Sequence, residues 1–284
     1  MRKTARLRSP IKWFGGKGSM TAKLLPLIPR HSMYVEVFGG GASLLFAKPP
    51  ALKEVYNDLD DGAVGFFRVL KDESKFERLF TLARLTPYSR EEYDLCRRTW
   101  EACTDDVERA YRWFVVARMS FSGRFGCGWS SVISSSARGM ASTSSSWLGA
   151  LRTLPLAHKR LQNVAIEQQD FRQILAAYDS PQTFFYLDPP YVPDTRRAGE
   201  YRHELCGEDH AELVQMLLSA KGRCMLSGYA HPVYRPLELS GWRRIDFPVA
   251  CQAVGRTRAA GLMGEGRVKS LQPRVETLWI SPVQ

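Results

Sequence analysis

Short runs of β-branched and aromatic residues punctuate the chain, and each ends abruptly at a glycine or a carboxylate. They are Met33 to Val37 before Phe38-Gly39-Gly40-Gly41, Glu54 to Asn57 before Asp58, Asn163 to Gln169 before Asp170, Thr183 to Leu187 before Asp188-Pro189-Pro190-Tyr191, and Arg223 to Leu226 before Ser227-Gly228. Read as strands, these runs place ligand-binding residues just outside the carboxyl ends of an open α/β sheet. Asp209 to Ala220 carries Leu213, Met216, Leu217 and Ala220 at three-to-four spacing, the pattern of an amphipathic helix. Strands alternating with helices predict an α/β fold.

The alternation lapses between residues 72 and 158. Helical pattern takes over at Glu91 to Trp100 and Asp106 to Met119, and Ser120 to Ser146 is then too rich in glycine and serine to be core. This predicts two domains, a sheet domain from 1–71 and 159–284 and a mainly helical insert at 72–158. Composition alone would make Ser120 to Ser146 a linker. Its arginines Arg118, Arg124 and Arg138, interleaved with Phe121, Phe125, Trp129 and Trp147, suit phosphate and base contacts better.

The 284 residues carry 40 Lys and Arg against 29 Asp and Glu, a formal charge of +11, with 44% apolar residues. A disordered tail, a fibre and a small disulfide scaffold are excluded on that basis. The positive charge is concentrated. Residues 1–30 hold a net +8, residues 109–158 a net +6 and residues 252–274 a net +4, together +18 over a remainder of −7. If folding brings these stretches to one cleft, the partner is a polyanion, most often nucleic acid. No apolar run reaches the eighteen residues of a membrane span, no signal-peptide pattern is present, and the six cysteines form no C-x-x-C pair, so a cytoplasmic location is expected.

The most specific motif is Asp188-Pro189-Pro190-Tyr191, directly after Phe184-Phe185-Tyr186-Leu187. An amine conjugated to a ring is a poor nucleophile, because its lone pair is delocalised. Hydrogen bonds from its N–H groups to a carboxylate and a backbone carbonyl stabilise the positive charge that develops as it attacks. Asp188 supplies the carboxylate, the prolines fix the backbone, and Tyr191 offers a face on which a planar base can stack. The second motif, Glu36-Val37-Phe38-Gly39-Gly40-Gly41-Ala42, is a turn that lets a ligand approach the backbone. Asp58 follows about twenty residues later at the end of the next run, where an acid can hold a ribose diol. The diphosphate-binding G-x-G-x-x-G spacing is absent, so a nucleoside-bearing cofactor without a diphosphate is expected.

With Pro10-Ile11-Lys12-Trp13-Phe14-Gly15-Gly16-Lys17, Tyr56-Asn57-Asp58 and Gln169-Asp170-Phe171, these motifs stand in the order found in a known family. The chain resembles the Dam-type, adenine-specific DNA methyltransferases that use S-adenosylmethionine, over nearly its whole length. The resemblance implies a Rossmann-like class I methyltransferase sheet with a helical inserted target-recognition domain. It also implies that Trp13, Lys17, Glu36, Phe38, Gly39, Gly40 and Gly41 surround the methionine part of the cofactor. Asp58 would hold the ribose hydroxyls, Asp170 and Phe171 the adenine ring, and Asp188 would border the cofactor. Asp188, Pro189, Pro190 and Tyr191 would grip an adenine flipped out of double-stranded DNA. Arg118, Ser120, Ser122, Arg124 and Arg138 would contact DNA. A cognate restriction enzyme is a further partner the resemblance suggests, in a bacterial or phage setting.

Val37 stands where relatives carry proline, and Gly126 to Ser146 does not resemble the recognition loop of tetranucleotide-methylating members, so it does not define the target sequence. His203-x-x-Cys206-x-x-x-His210 lacks a fourth ligand at zinc spacing and reads as surface and packing residues, so no metal is expected. Tyr201-Arg202-His203 and Ser227-Gly228-Tyr229 are candidates for the base pocket, and Arg256 to Lys269 for a basic loop over the DNA backbone. Two alternatives stay open: the same chemistry on cytosine, RNA adenine or another planar amine, and a DNA-binding regulator without catalysis.

Overall fold

A computed structural model describes residues 6–131, 135–195, 202–249 and 274–282. In chain order the elements begin with α1 (Thr21–Leu24), β1 (Met33–Glu36), α2 (Ser43–Ala47) and β2 (Lys53–Asn57). A helical stretch follows: α3 (Asp61–Lys71), α4 (Glu73–Leu85), α5 (Arg90–Thr99) and α6 (Asp106–Met119). A small hairpin of β3 (Ser136–Ala137) and β4 (Met140–Ala141) leads into α7 (Ser142–Leu161). The chain then returns to the sheet through β5 (Val164–Glu167), α8 (Phe171–Tyr178), β6 (Thr183–Leu187), α9 (Gly207–Ser219), β7 (Arg223–Gly228), α10 (Arg235–Leu239), β8 (Arg243–Val249) and β9 (Arg274–Ile280).

Among the described residues the main sheet has seven strands in the order β5-β2-β1-β6-β7-β9-β8. The first five are parallel, and β9 runs antiparallel to both β7 and β8. This is the Rossmann-like methyltransferase arrangement expected from the sequence. From β1 the chain moves outward to β2 and β5, then returns to β6 on the other side. The switch point between β1 and β6 leaves a crevice at their carboxyl ends, where doubly wound sheets bind ligands.

Burial on both faces explains the nearly continuous apolar runs, as parallel strands covered by helices require. Alternate residues feed two cores. Tyr34, Tyr56, Phe184 and Tyr186 join α3, α6 and α7 on one face, and Val35, Val55, Phe185 and Leu187 join α8, α9 and α10 on the other. The helical segment therefore shares its core with one sheet face. Close approach of α3 to α6 depends on Gly62, where a Cβ would collide with the Trp113 indole. Residue 72 is the N-cap of α4, its carboxylate accepting from the Lys75 amide at 3.0 Å, and residue 158 lies inside α7.

The described parts of the Gly/Ser-rich stretch form regular elements despite their composition. Ser142 to Ser146 form the first turns of α7, with Thr143 and Ser145 buried and the Trp147 indole donating to Thr86 O at 3.1 Å. Ser136 to Ala141 make a tight hairpin turned by Arg138 and Gly139, whose φ of +57° and +73° fit the hand of a two-residue hairpin turn.

Candidate active site

The carboxyl end of β1 opens into Phe38-Gly39-Gly40-Gly41. A Cβ on Gly39 would fall into the Tyr56 ring, and one on Gly40, at φ +45°, would lie 2.5 Å from Trp13 Nε1. Both positions need glycine because aromatic rings press on the backbone from either side. Hydrogen bonds pin the turn to β2: Gly39 N donates to Asn57 O at 2.7 Å, Tyr56 Oη to Gly40 O at 2.9 Å, and Gly40 N to Asp58 Oδ2 at 2.7 Å. Asp58 Oδ1 accepts from Asp60 N at 2.8 Å. Burial nevertheless pushes the Asp58 carboxyl up to about 6. Asn57, which sequence reading left without a role, joins three strand ends. It donates to Val37 O and Gln169 O and accepts from Gln169 N.

These residues line a cleft with Trp13, Lys17, Glu36, Phe38, Phe171, Asp188 and Pro190, closed on one side by Arg202 to Leu205. Phe38 and Phe171 face each other with ring centres 5.8 Å apart. Glu36 Oε2 accepts from Tyr34 Oη at 2.8 Å and Leu45 N at 2.9 Å, and burial pushes its carboxyl up to about 8. Arg202 pairs with Asp61 at 3.0 Å and Glu101 at 3.5 Å, tying this strap to the helical segment. Asp170 stands apart. Its carboxylate caps α8 through Arg172 N at 2.9 Å and pairs with the Arg172 guanidinium, while its neighbours Gln169 and Phe171 line the cleft.

At the far end of the cleft, Lys17 Nζ donates to Asp188 Oδ1 at 2.6 Å, Asp188 Oδ2 at 2.8 Å, Tyr191 Oη at 2.7 Å and Gly15 O at 3.2 Å. Tyr191 in turn donates to Glu276 on β9, and its ring meets Tyr229 edge-on at 4.4 Å. Pro189 is buried. Burial is the main force on Asp188 and pushes its carboxyl up to about 6; Lys17 opposes this shift and the Glu276 charge adds to it. The site can therefore hold an N–H-bearing group against a buried carboxylate.

The amino-terminal segment and the loop after α6 meet beside this cleft. Lys12 Nζ donates to Arg118 O at 3.0 Å, and the Arg124 guanidinium lies 4.6 Å over the Phe14 ring. The expected DNA-contacting residues fall into two groups. Arg124 and Arg138 are exposed and Ser122 is half-buried. Arg118 and Ser120 are buried: Arg118 Nη2 donates to Ser146 O at 2.7 Å, and Ser120 Oγ donates to Val116 O and accepts from Gly126 N. Arg2, Lys3, Tyr201 and the basic stretch Arg256 to Lys269 lie outside the described residues. Cys206 caps α9, and His210 is buried with Nδ1 2.9 Å from Tyr234 Oη. No group of three or more metal-ligating side chains occurs among the described residues, and no described helix is long and apolar enough to cross a membrane.

Three comparisons with known proteins bear on this geometry. A family model described as D12 class N6 adenine-specific DNA methyltransferase matches residues 13–234. The chain is similar to the type II methyltransferase M1.LlaDCHI of Lactococcus lactis subsp. cremoris, 28% identical over 93% of this chain and 94% of that protein. It is also similar to the DNA N-6-adenine-methyltransferase of Escherichia phage P1, 26% identical over 76% of this chain but spanning only 28% of that longer protein.

Proposed function

Because the chain belongs to the D12 class N6 adenine-specific DNA methyltransferase family, we propose that it transfers a methyl group from S-adenosylmethionine to the 6-amino group of an adenine flipped out of duplex DNA. The observation that carries this reading is Asp188. Its two oxygens hold an N–H-bearing nitrogen, Lys17 Nζ, at 2.6 and 2.8 Å, beside the cleft formed by the β1 turn. An adenine amino group in that place would donate to the same carboxylate.

The residues present fit the cofactor. The glycine turn is bare because Tyr56 and Trp13 leave no room for side chains, Asp58 keeps acceptor capacity toward the cleft for a ribose diol, and Phe38 and Phe171 provide apolar faces for an adenine ring. When bound, S-adenosylmethionine supplies an electrophilic methyl group on a sulfonium. Asp188 accepts an N–H bond from the target amine, draws electron density onto the nitrogen and stabilises the charge that grows there. It is also seated to take the proton that the methylated nitrogen sheds. With its carboxyl near 6, it returns that proton to water at neutral pH. Pro189 and Pro190 hold the backbone still, and the largely buried Tyr191 walls the base site.

The segment 72–158 is the proposed target-recognition unit, with Ser122, Arg124 and Arg138 turned to DNA and Arg118 and Ser120 holding its loop in shape. Similarity to a type II methyltransferase favours a cytoplasmic restriction-modification setting with a cognate endonuclease. The test is Asp188→Ala. Methyl transfer to duplex DNA is expected to vanish while S-adenosylmethionine binding, measured by calorimetry, persists. Transfer at the wild-type rate would overturn the assignment.

A further inference from the structure

Glu276 lies on β9, beyond the segment that the family model matches, and no sequence motif pointed to it. Its side chain is only 11% exposed. One carboxylate oxygen, Oε1, accepts from Tyr191 Oη and stands 3.1 Å from Lys17 Nζ. Lys17 therefore touches two buried carboxylates at once, Asp188 from β6 and Glu276 from β9, with the Tyr191 hydroxyl between them. An ammonium that must leave Asp188 to admit a base would lose a counter-ion for its buried charge, which is strongly unfavourable. Glu276 removes that obstacle.

We propose that Glu276 is a positioning residue for methyl transfer: it retains the Lys17 ammonium when the target amino group takes its place on Asp188, and it orients the Tyr191 hydroxyl beside the base. The inference rests on the adenine-methylating reading and extends it. Glu276 acts through Lys17 and Tyr191 and does not itself touch the reacting nitrogen. Without its charge, Lys17 would be drawn more strongly to Asp188 and compete with the incoming amine. Among the described residues, the charged groups facing Asp188 are Lys17 from the amino-terminal segment and Glu276 from β9; the Glu36 carboxyl from β1, raised to about 8, and the hydroxyls of Tyr186 and Tyr191 are the neutral titratable groups beside them. Removing the Glu276 charge takes away a repulsion that raises the Asp188 carboxyl, so Asp188 would then titrate at lower pH.

The experiment compares wild type, Glu276→Gln and Glu276→Asp on unmethylated bacteriophage λ DNA, with single-turnover methyl transfer followed from pH 5 to 9. DNA docking depends mainly on phosphate contacts, so the expected change falls on base capture. Glu276→Gln should lose roughly tenfold or more in single-turnover rate, with KM for DNA and cofactor affinity held within about twofold. Its acid limb should move to lower pH, and Glu276→Asp should recover most of the rate. In a Lys17→Met background, adding Glu276→Gln should cost little more, since both act as a unit. Cofactor affinity and melting temperature matched to wild type separate this from misfolding. A Glu276→Gln enzyme with wild-type rate and an unmoved acid limb, beside a wild type that methylates adenine, would refute the role of Glu276 alone. A wild type that places no methyl on adenine N6 would refute the functional reading on which it stands.

Discussion

Lowering the pH should switch the enzyme off through Asp188 well above the range in which an ordinary aspartate titrates. Burial raises its carboxyl from 3.8 to about 6, Lys17 notwithstanding. That is ~3 kcal/mol of added preference for the neutral form. The neutral form cannot accept a hydrogen bond from the target amine at both oxygens or draw charge onto its nitrogen. At a value near 6, Asp188 is about nine-tenths ionised at pH 7 and about one-tenth at pH 5, so kcat/KM for DNA should fall about tenfold between them. An aspartate left at 3.8 would still be about nine-tenths ionised at pH 5. The assay is initial-rate methyl transfer from labelled cofactor into unmethylated duplex DNA. Cofactor is held saturating, because Asp58 in the cofactor cleft is also raised to about 6. Asp188→Asn serves as the control: about 10²-fold slower or worse, with no limb near 6. A wild-type profile flat down to pH 5, or the same limb in Asp188→Asn, would refute the reasoning.

Gly39→Ala should abolish cofactor binding by calorimetry, since its Cβ would occupy space held by the Tyr56 ring and lie 3.0 Å from Asn57 O; binding at wild-type affinity would show that the β1 turn is not the cofactor wall. Arg118→Met should lower stability by about 1–3 kcal/mol in urea while leaving the salt dependence of DNA binding unchanged, because its guanidinium is spent on Ser146. Arg138→Ala should do the reverse, reducing the salt slope by about 1 with no loss of stability. Glu36 gives a stability signature in pH. Its folded value is raised to about 8 from 4.5, so its contribution is fully present below about 4.5 and is lost as pH rises through 8. Glu36→Gln should therefore melt higher relative to wild type at pH 9 than at pH 7, and a constant difference would contradict the buried neutral acid.

The parallel strands were legible because burial on both faces wrote them as unbroken apolar runs ending at chemistry-bearing residues, whereas their order in the sheet leaves no such local record. Strands β8 and β9 escaped notice. Arg243 to Val249 and Arg274 to Ile280 interleave charged with apolar residues, and their pairing spans a long separation in sequence. Glu276 was missed with them, since only antiparallel pairing on β7 brings it to the Asp188 end of the sheet. The glycine turn, Asp58 and Asp188 could be placed at strand ends from motif and spacing because backbone approach and charge leave a local record, while Lys17 came only with the family resemblance. Arg118 and Asp170 show where that record is ambiguous. An arginine beside a loop and an aspartate at a strand end look equally fit for ligand contact or for local bonding. Here Ser146 and Arg172 take them. The hairpin signal at Arg138-Gly139 was present but hidden by the serines around it.

Nucleoside analysis of DNA methylated by the purified protein tests the central claim most directly. Unmethylated duplex DNA is incubated with S-adenosylmethionine carrying a labelled methyl group, digested to nucleosides and resolved by mass spectrometry. The label should appear as N6-methyldeoxyadenosine with wild-type protein and be absent with Asp188→Ala. Label on cytosine, or an equal yield of N6-methyldeoxyadenosine from Asp188→Ala, would contradict an adenine amino group held by Asp188 at the end of β6.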